Sequence, residues 1–164
     1  MSVRFFCDRD VLRLAKWLRF VGFDVMTRRE LSRHNIIRIC QKDRRIFITR
    51  KKKDVSLLDV KVELLDSDDV FAQLENILAK YPIVKDNIGS RCIQCNVKLL
   101  SHLSPILAIP SDIDSDCNKD TSRFPSSIPT YLKGKSYKYC SRCSKIYWEG
   151  SHYKNMNEVI NQLK

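Results

Sequence analysis

The sequence predicts an α/β domain, a parallel sheet flanked by helices, followed by a small C-terminal zinc ribbon. Short apolar runs alternate with helical patterns through the first half of the 164-residue chain, which is typical of parallel βαβ units. Two Cys-x-x-Cys pairs lie in the second half, and this pairing is typical of a structural zinc site. A polar stretch after Pro82 separates the alternating strand and helix patterns from the cysteine pairs. We therefore expect a domain boundary near residue 86, with domains at 1–85 and 86–164.

The first predicted strand and helix open the chain. Residues 3–7 are apolar and form a run of strand length. The helix that follows ends at Gly22, and its apolar residues recur at helical spacing: Val11, Leu14, Ala15, Leu18 and Val21. Three cations fall outside this stripe, namely Arg13, Lys16 and Arg19. We therefore expect them on a basic outer face of the helix.

Further strands and helices follow at similar intervals. Strands are predicted at residues 23–27, 46–48 and 60–64. The second helix is centred on four apolar residues, Ile36, Ile37, Ile39 and Cys40. The third helix has Ser67 as its predicted N-cap, and its apolar stripe runs from Val70 to Tyr81.

One edge of this sheet is the expected ligand-binding region, because ligands of parallel sheets bind beyond the carboxyl ends of the strands. Asp8 follows the first strand and the loop at 49–54 follows the third, so both are expected there. The loop contains the basic run Arg50 to Lys53, and the net charge of the chain is +11. This balance indicates a polyanionic partner such as nucleic acid, with a solvated basic face as the alternative.

The cysteines indicate a reducing compartment. Seven cysteines, an odd number with two Cys-x-x-Cys pairs, fit metal binding better than a disulfide framework. The N-terminal apolar run is too short for a signal peptide, and no stretch is long enough to cross a bilayer. We expect an intracellular protein, cytoplasmic or nuclear, that is neither secreted nor bound to a membrane.

The two cysteine pairs predict the zinc ligands. Zinc prefers four thiolates in a tetrahedron, and each Cys-x-x-Cys turn supplies two of them. The predicted ligands are Cys92, Cys95, Cys140 and Cys143. The interval of 44 residues between the pairs is long, and a Pro- and Ser-rich loop at about 101–136 accounts for it. A redox pair or ordinary buried cysteines are the alternatives, and Cys7 and Cys40 are predicted core residues because they lie in apolar patterns.

Three stretches of sequence match one known family when they are taken together. The first runs from Phe5 to Val25 and includes Phe5-Phe6-Cys7-Asp8-Arg9-Asp10 and Arg13-Leu14-Ala15-Lys16-Trp17-Leu18-Arg19. The second is Arg45-Ile46-Phe47-Ile48-Thr49-Arg50. The third comprises Cys92-Ile93-Gln94-Cys95-Asn96 and Cys140-Ser141-Arg142-Cys143 with the following Tyr147-Trp148-Glu149-Gly150. With these stretches the chain resembles the Mut-seven C-terminal ribonuclease family, a PIN-like domain followed by a zinc ribbon.

The resemblance implies a metal-dependent ribonuclease. In such an enzyme, carboxylates at the strand ends hold one or two Mg²⁺ or Mn²⁺ ions that activate water against an RNA phosphodiester. Asp8 matches the acid after the first strand, with a helix N-cap as its alternative role. Asp24 matches the acid after the Gly22 turn, with a structural role as its alternative.

Two further metal ligands that the resemblance implies are replaced here. The acid before the second helix corresponds to Arg33 or His34, and the acid after the Thr-Arg pair corresponds to Lys51. The acids available as substitutes are Glu30, Asp43 and Asp54, but Asp54 lies three residues from Lys51, about 10 Å of extended chain. Because a cation repels a metal ion, Lys51 is expected to act as the counter-ion of Asp8.

Two functions from different classes follow. The first, which we favour, is an RNA-binding protein in which the catalytic acids are partly lost. Such a protein binds RNA either by itself or as part of a ribonucleoprotein. Its predicted RNA-binding residues are Arg13, Lys16, Arg19, Arg33, Arg50, Lys51, Lys52 and Lys53. The second is an active ribonuclease that uses Asp8, with Asp24 and Asp54 as further candidates and Mg²⁺ or Mn²⁺ as cofactor. A third option is a protein-interaction module in which the ribbon binds the partner.

Overall fold

The computed structural model describes residues 3–28, 30–52, 59–101 and 136–163. The chain divides into two compact units, Met1–Asn96 and Val97–Lys164. The domain boundary that the sequence predicts near residue 86 stays a prediction. No helix among the described residues has the length and apolar character needed to cross a membrane.

The first unit contains a four-stranded parallel sheet with the order β2-β1-β3-β4. Its strands are β1 (Arg4–Cys7), β2 (Asp24–Thr27), β3 (Ile46–Thr49) and β4 (Val62–Leu64). Its helices are α1 (Leu12–Phe20), α2 (Arg33–Asp43) and α3 (Val70–Lys80), with short 3-10 turns at Arg9–Val11 and Lys85–Asn87. The predicted parallel sheet flanked by helices is therefore confirmed.

The core of this unit is built around β1. Phe5, Phe6 and Cys7 are each 0% exposed, and a strand that is buried on both faces needs helices on both sides. The Phe6 side chain packs in a cluster with Phe47, Ile36 and Cys40. The predicted core positions of Cys7 and Cys40 are confirmed, and burial raises the pKa of the Cys40 thiol to about 11.

Two helix boundaries depend on particular residues. The turn after α1 contains Gly22 at a φ of +99°, and a Cβ there would lie 2.4 Å from the Asn87 carbonyl oxygen, so only glycine fits. The predicted N-cap of the third helix, Ser67, is wrong. Asp69 caps α3, because its carboxylate accepts hydrogen bonds from the amides of Phe71 (3.0 Å) and Ala72 (2.8 Å).

The predicted outer basic face of α1 is correct for two of its three cations. Arg13 and Lys16 are exposed, whereas only 6% of Arg19 is exposed. The guanidinium of Arg19 donates to the Val25 carbonyl (3.0 Å) and the Thr27 hydroxyl (2.9 Å). These acceptors on β2 draw the side chain over the sheet, so its predicted outer position is wrong.

The second unit contains a small antiparallel sheet and one helix. The sheet order is β5-β6-β7, formed by Leu100–Ser101, Lys138–Tyr139 and Ile146–Tyr147. Helix α4 spans Ser151–Gln162 and starts before the predicted closing helix at 155–163. It buries Met156 and Ile160. The predicted loop at 101–136 lies outside the described residues except at its two ends.

A buried carboxylate on β4 joins the sheet to α3. Glu63 is 7% exposed, and its oxygens accept hydrogen bonds from the Lys80 ammonium (2.6 Å) and the Tyr81 hydroxyl (2.7 Å). Burial by itself raises the pKa of Glu63, but these hydrogen bonds and the Lys80 charge outweigh it and hold the pKa below its ordinary value.

We expect Glu63→Gln to lower the free energy of unfolding by about 1–3 kcal/mol at pH 7, since the Lys80 ammonium loses its charged partner. A carboxylate with a lowered folded-state pKa stabilises the fold above its unfolded pKa, and this stabilisation is lost as the pH falls through the folded value. The difference between wild type and variant should therefore shrink below the ordinary glutamate pKa of about 4.3. Urea denaturation across pH 3–7 tests this, with the exposed Glu75→Gln as control; a pH-independent difference would contradict it.

Candidate functional site

Asp8 lies at the carboxyl edge of the sheet, as the sequence predicted. Its amide continues the β1 ladder by donating to the Ile48 carbonyl (2.9 Å). One carboxylate oxygen accepts from the Arg9 amide (2.7 Å) and so caps the 3-10 turn. The other accepts from the Thr49 hydroxyl at the end of β3 (3.1 Å). Asp8 therefore has the N-cap role that was its alternative, while it also faces the end of the neighbouring strand.

Lys51 lies against the same carboxylate. Its ammonium is 3.4 Å from Asp8 Oδ2, and its amide donates to the Thr49 hydroxyl (3.2 Å). The contact predicted for Lys51 is therefore present. The Lys51 side chain is 46% exposed, so the pair is partly solvated and contributes at most about 1 kcal/mol to stability.

A cavity of about 210 Å³ opens at this edge. Its lining consists of Asp8, Arg9, Arg28, Leu31, Arg33, Ile36, Phe47, Thr49 and Lys51. The lining thus contains one carboxylate, four cations and three apolar side chains. Arg33 and Lys51 both line the cavity that contains Asp8.

Other charged groups near this edge form pairs with one another. Arg50 forms an ion pair with Asp68, and Lys52 Nζ lies 2.8 Å from Asp66. The Arg50 amide donates to Asp10 Oδ2 (3.2 Å), while Asp10 Oδ1 is buried without a hydrogen bond to a described residue. Arg50 and Lys52, like Lys51, are therefore predicted RNA-binding cations that have carboxylate partners.

Sequence reasoning missed several residues at this edge: Arg9, Asp10, Arg28, Asp66 and Asp68. A signal for some of them was available, because Arg9 and Asp10 adjoin Asp8, and Asp66 and Asp68 follow the fourth predicted strand. Lys53 and Asp54, which the sequence analysis named, lie outside the described residues.

Asp24 lies at the opposite ends of the strands, where β1 and β2 begin. It pairs in register with Arg4, the first residue of β1, three residues or about 10 Å from the carboxyl ends. Its carboxylate accepts from Arg45 (2.7 Å) and from the Asn96 amide (2.8 Å). Burial raises the pKa of Asp24, but these hydrogen bonds outweigh it and the pKa lies below its ordinary value. Asp24 therefore does not join the carboxylate of Asp8, and Asp43, which contacts Arg45 at 3.3 Å, also lies away from it.

The four predicted metal-binding cysteines come together. Their Sγ atoms all lie within 4.8 Å of one another, and a zinc–sulfur tetrahedron has edges of about 3.8 Å. They are the one group of three or more Cys, His, Asp or Glu residues with metal-binding geometry in the part of the chain that the structure describes. Four thiolates at this spacing fit a metal ion.

The two cysteine turns have the same backbone geometry. Asn96 and Ser144, which follow the second cysteine of each pair, have φ values of 67° and 56°. Their amides donate to the carbonyls of Cys92 (2.8 Å) and Cys140 (2.9 Å). Such repeated tight turns direct the paired sulfurs to one side, as a metal knuckle requires.

The family follows from a direct comparison. The family model described as the Mut7-C RNAse domain matches residues 3–160. The chain belongs to this family. No curated protein and no solved structure gives a significant match. The matched range of the Mut7-C RNAse domain contains both the Asp8 edge and the four cysteines, so the predicted family resemblance is confirmed.

The structure of this Mut7-C RNAse domain leads us to expect a stabilising role for Asp24. We expect Asp24→Asn to lower the free energy of unfolding by about 1–3 kcal/mol, because the buried Arg45 guanidinium loses a charged acceptor. Chemical denaturation at pH 7 measures the loss, and Asp86→Asn, an exposed carboxylate, serves as control. Equal stabilities of Asp24→Asn and wild type would show that this carboxylate is not a structural anchor.

Proposed function

We propose that this chain is an RNA-binding member of the ribonuclease family whose carboxyl edge holds backbone phosphates instead of catalytic metal ions. The observation that carries the proposal is the Lys51 ammonium, 3.4 Å from Asp8 Oδ2. A two-metal nuclease needs several carboxylates that converge on the ions. Here the positive charge of Lys51 lies against the carboxylate at the end of β1, so a divalent ion would have to displace it.

The composition of the cavity supports phosphate binding. Arg9, Arg28 and Arg33 line it together with Lys51, and arginine side chains bind phosphate through paired hydrogen bonds. Because Lys51 and Asp8 form a partly exposed pair, a phosphate can replace the carboxylate as the partner of the ammonium at small cost. The exposed Arg13 and Lys16 on α1 add positive charge to the same unit.

We further propose that the cysteine cluster holds a structural zinc ion. An all-thiolate, four-coordinate donor set favours zinc among the available divalent metals, and it leaves no open position for a substrate. Zinc held in this way supplies folding energy rather than chemistry. The ion would be bound by Cys92 and Cys95 with Cys140 and Cys143.

We expect the double variant Arg33→Gln/Lys51→Gln to bind labelled RNA about tenfold or more weakly than wild type, since two cavity cations are lost. The plot of log K against log[salt] should become shallower by about 0.7 for each single-stranded phosphate contact removed. Fluorescence anisotropy with single-stranded and structured RNA across a salt series measures both. The matched control is Arg38→Gln/Lys42→Gln, which removes two exposed cations from α2 outside the cavity.

The same RNAs distinguish binding from catalysis. We expect the wild-type protein to leave these RNAs intact both with Mg²⁺ or Mn²⁺ and with EDTA. Metal-dependent cleavage that Asp8→Asn abolishes would establish the alternative, an active ribonuclease. Equal binding by the cavity variant and its control would exclude the cavity as the RNA site.

Zinc content gives an independent test. We expect mass spectrometry to find about one zinc per chain, and Cys140→Ala to lose the metal and unfold the second unit, because structural zinc contributes folding free energy directly. Ser141→Ala, a change at an exposed residue inside the same turn, is the control. Full retention of structure in a strong chelator would refute the zinc site.

A further inference from the structure

Arg19 is a buried arginine that reaches the first cysteine turn from within the first compact unit. Its Nη1 atom donates to the carbonyl oxygens of Ile93 (3.0 Å) and Gln94 (2.9 Å). These are the two residues between Cys92 and Cys95. The guanidinium is therefore bonded to the backbone of the turn that carries two of the four thiols.

The bond to Gln94 has a direct consequence for the sulfur of Cys92. The Gln94 carbonyl and the Cys95 amide belong to one trans peptide group, so they point in opposite directions. The carbonyl oxygen accepts from Arg19, and the Cys95 N–H donates to Cys92 Sγ at 3.2 Å. Arg19 thus fixes the peptide plane that supplies a hydrogen bond to a metal-binding sulfur.

The other bonds of Arg19 attach this arrangement to the sheet. Its Nε donates to the Val25 carbonyl (3.0 Å), and its Nη2 donates to the Thr27 hydroxyl (2.9 Å). Asn96, directly after Cys95, reinforces the attachment because its side-chain oxygen accepts from the Val25 amide (2.9 Å). The first cysteine turn is therefore held against β2 through Arg19 and Asn96.

The positive charge of Arg19 gives this residue a second role beside the cysteine turn. Four thiolates and one Zn²⁺ carry a net charge of about −2, and Cys92 is 0% exposed. A buried negative charge needs a nearby cation or hydrogen-bond donors. Arg19 supplies a guanidinium beside the turn and orients an N–H toward the sulfur, so the charge of the bound centre has both a nearby cation and a hydrogen-bond donor.

We propose that Arg19 is a positioning residue of the metal centre, which holds the Cys92–Cys95 turn in its metal-binding conformation and offsets the charge of its thiolates. The inference rests on the proposed zinc centre. It assigns to a cation of α1, which the sequence placed on an RNA-binding face, a role toward the metal instead. Groups that orient metal ligands in this way typically change metal affinity 10- to 100-fold when they are lost.

The test is a Co²⁺ titration of the full-length apoprotein, followed by displacement with Zn²⁺ against a competing chelator. Cobalt thiolate absorption reports both the affinity and the geometry of the four-sulfur site. We expect Arg19→Gln to weaken metal binding about 10- to 100-fold. The metal affinity of Arg19→Lys should lie between those of wild type and Arg19→Gln. Lysine keeps the positive charge but lacks the planar guanidinium, whose nitrogens bond both the cysteine turn and β2.

A matched control separates this role from a general loss of stability. Glu63→Gln also alters a buried polar group, but on β4 at the far edge of the sheet from β2. It is expected to destabilise the fold while leaving metal affinity within about twofold of wild type. Circular dichroism of each metal-loaded variant verifies that the comparison is made between folded proteins.

The outcomes are distinct. Wild type that binds no Co²⁺ would overturn the proposed metal centre and this inference with it. Wild type that binds Co²⁺ with Arg19 variants of unchanged affinity and spectrum would overturn the inference alone. Loss of fold in both Arg19 variants at saturating zinc would also overturn it, since Arg19 would then serve the fold and not the metal.

Discussion

The burial of β1 on both faces is the constraint on which the arrangement of the site depends. Phe5, Phe6 and Cys7 have no exposed surface, so β1 must have strands on both edges and helices on both faces. Because β2 and β3 both run parallel to it, the residues that follow the strands meet at one edge. This is why Asp8 and Thr49, 41 positions apart, share a hydrogen bond.

What the edge can do depends on which charges follow the strands. The positions after β1 and β3 bring Asp8 and Lys51 together, and the start of α2 adds Arg33 to the same cavity. A surplus of cations around one carboxylate attracts phosphate and repels divalent metal ions. The scaffold is that of the Mut7-C RNAse domain family, and in the function that we propose the side chains at its edge bind phosphate instead of metal ions.

The features that the sequence predicted are those that depend on local pattern and strand direction. Periodicity located the strands and helices, and the parallel order placed Asp8 and Lys51 at one edge, so their contact could be foreseen. Arg19 could not be placed in this way. A helical pattern shows that Arg19 lies off the apolar stripe of α1, but only the packed sheet presents the Val25 and Thr27 acceptors that bury it.

The N-cap of α3 and the position of Asp24 also depend on the folded structure and could not be predicted from the sequence. Ser67 and Asp69 are both good N-cap residues, and the helix begins where the carboxylate of Asp69 can reach two amides. Asp24 was a candidate site acid by its position in the sequence, yet its register with Arg4 places it at the amino end of β2. There its carboxylate accepts from Arg45, so register and not residue type decides that it stabilises the sheet.

The exposure of the cations separates those that hold the fold from those that can exchange partners. Arg19 and Arg45 are 6% and 8% exposed, and both donate to buried backbone carbonyls, of Val25 and Phe5 respectively. Removing either leaves buried acceptors unpaired, so the effect appears in stability or metal affinity. Lys51 and Arg9 are exposed, and water can replace their partners at little cost. A phosphate can therefore compete for the exposed cations, and under the proposed function we expect mutations there to alter binding while the fold remains intact.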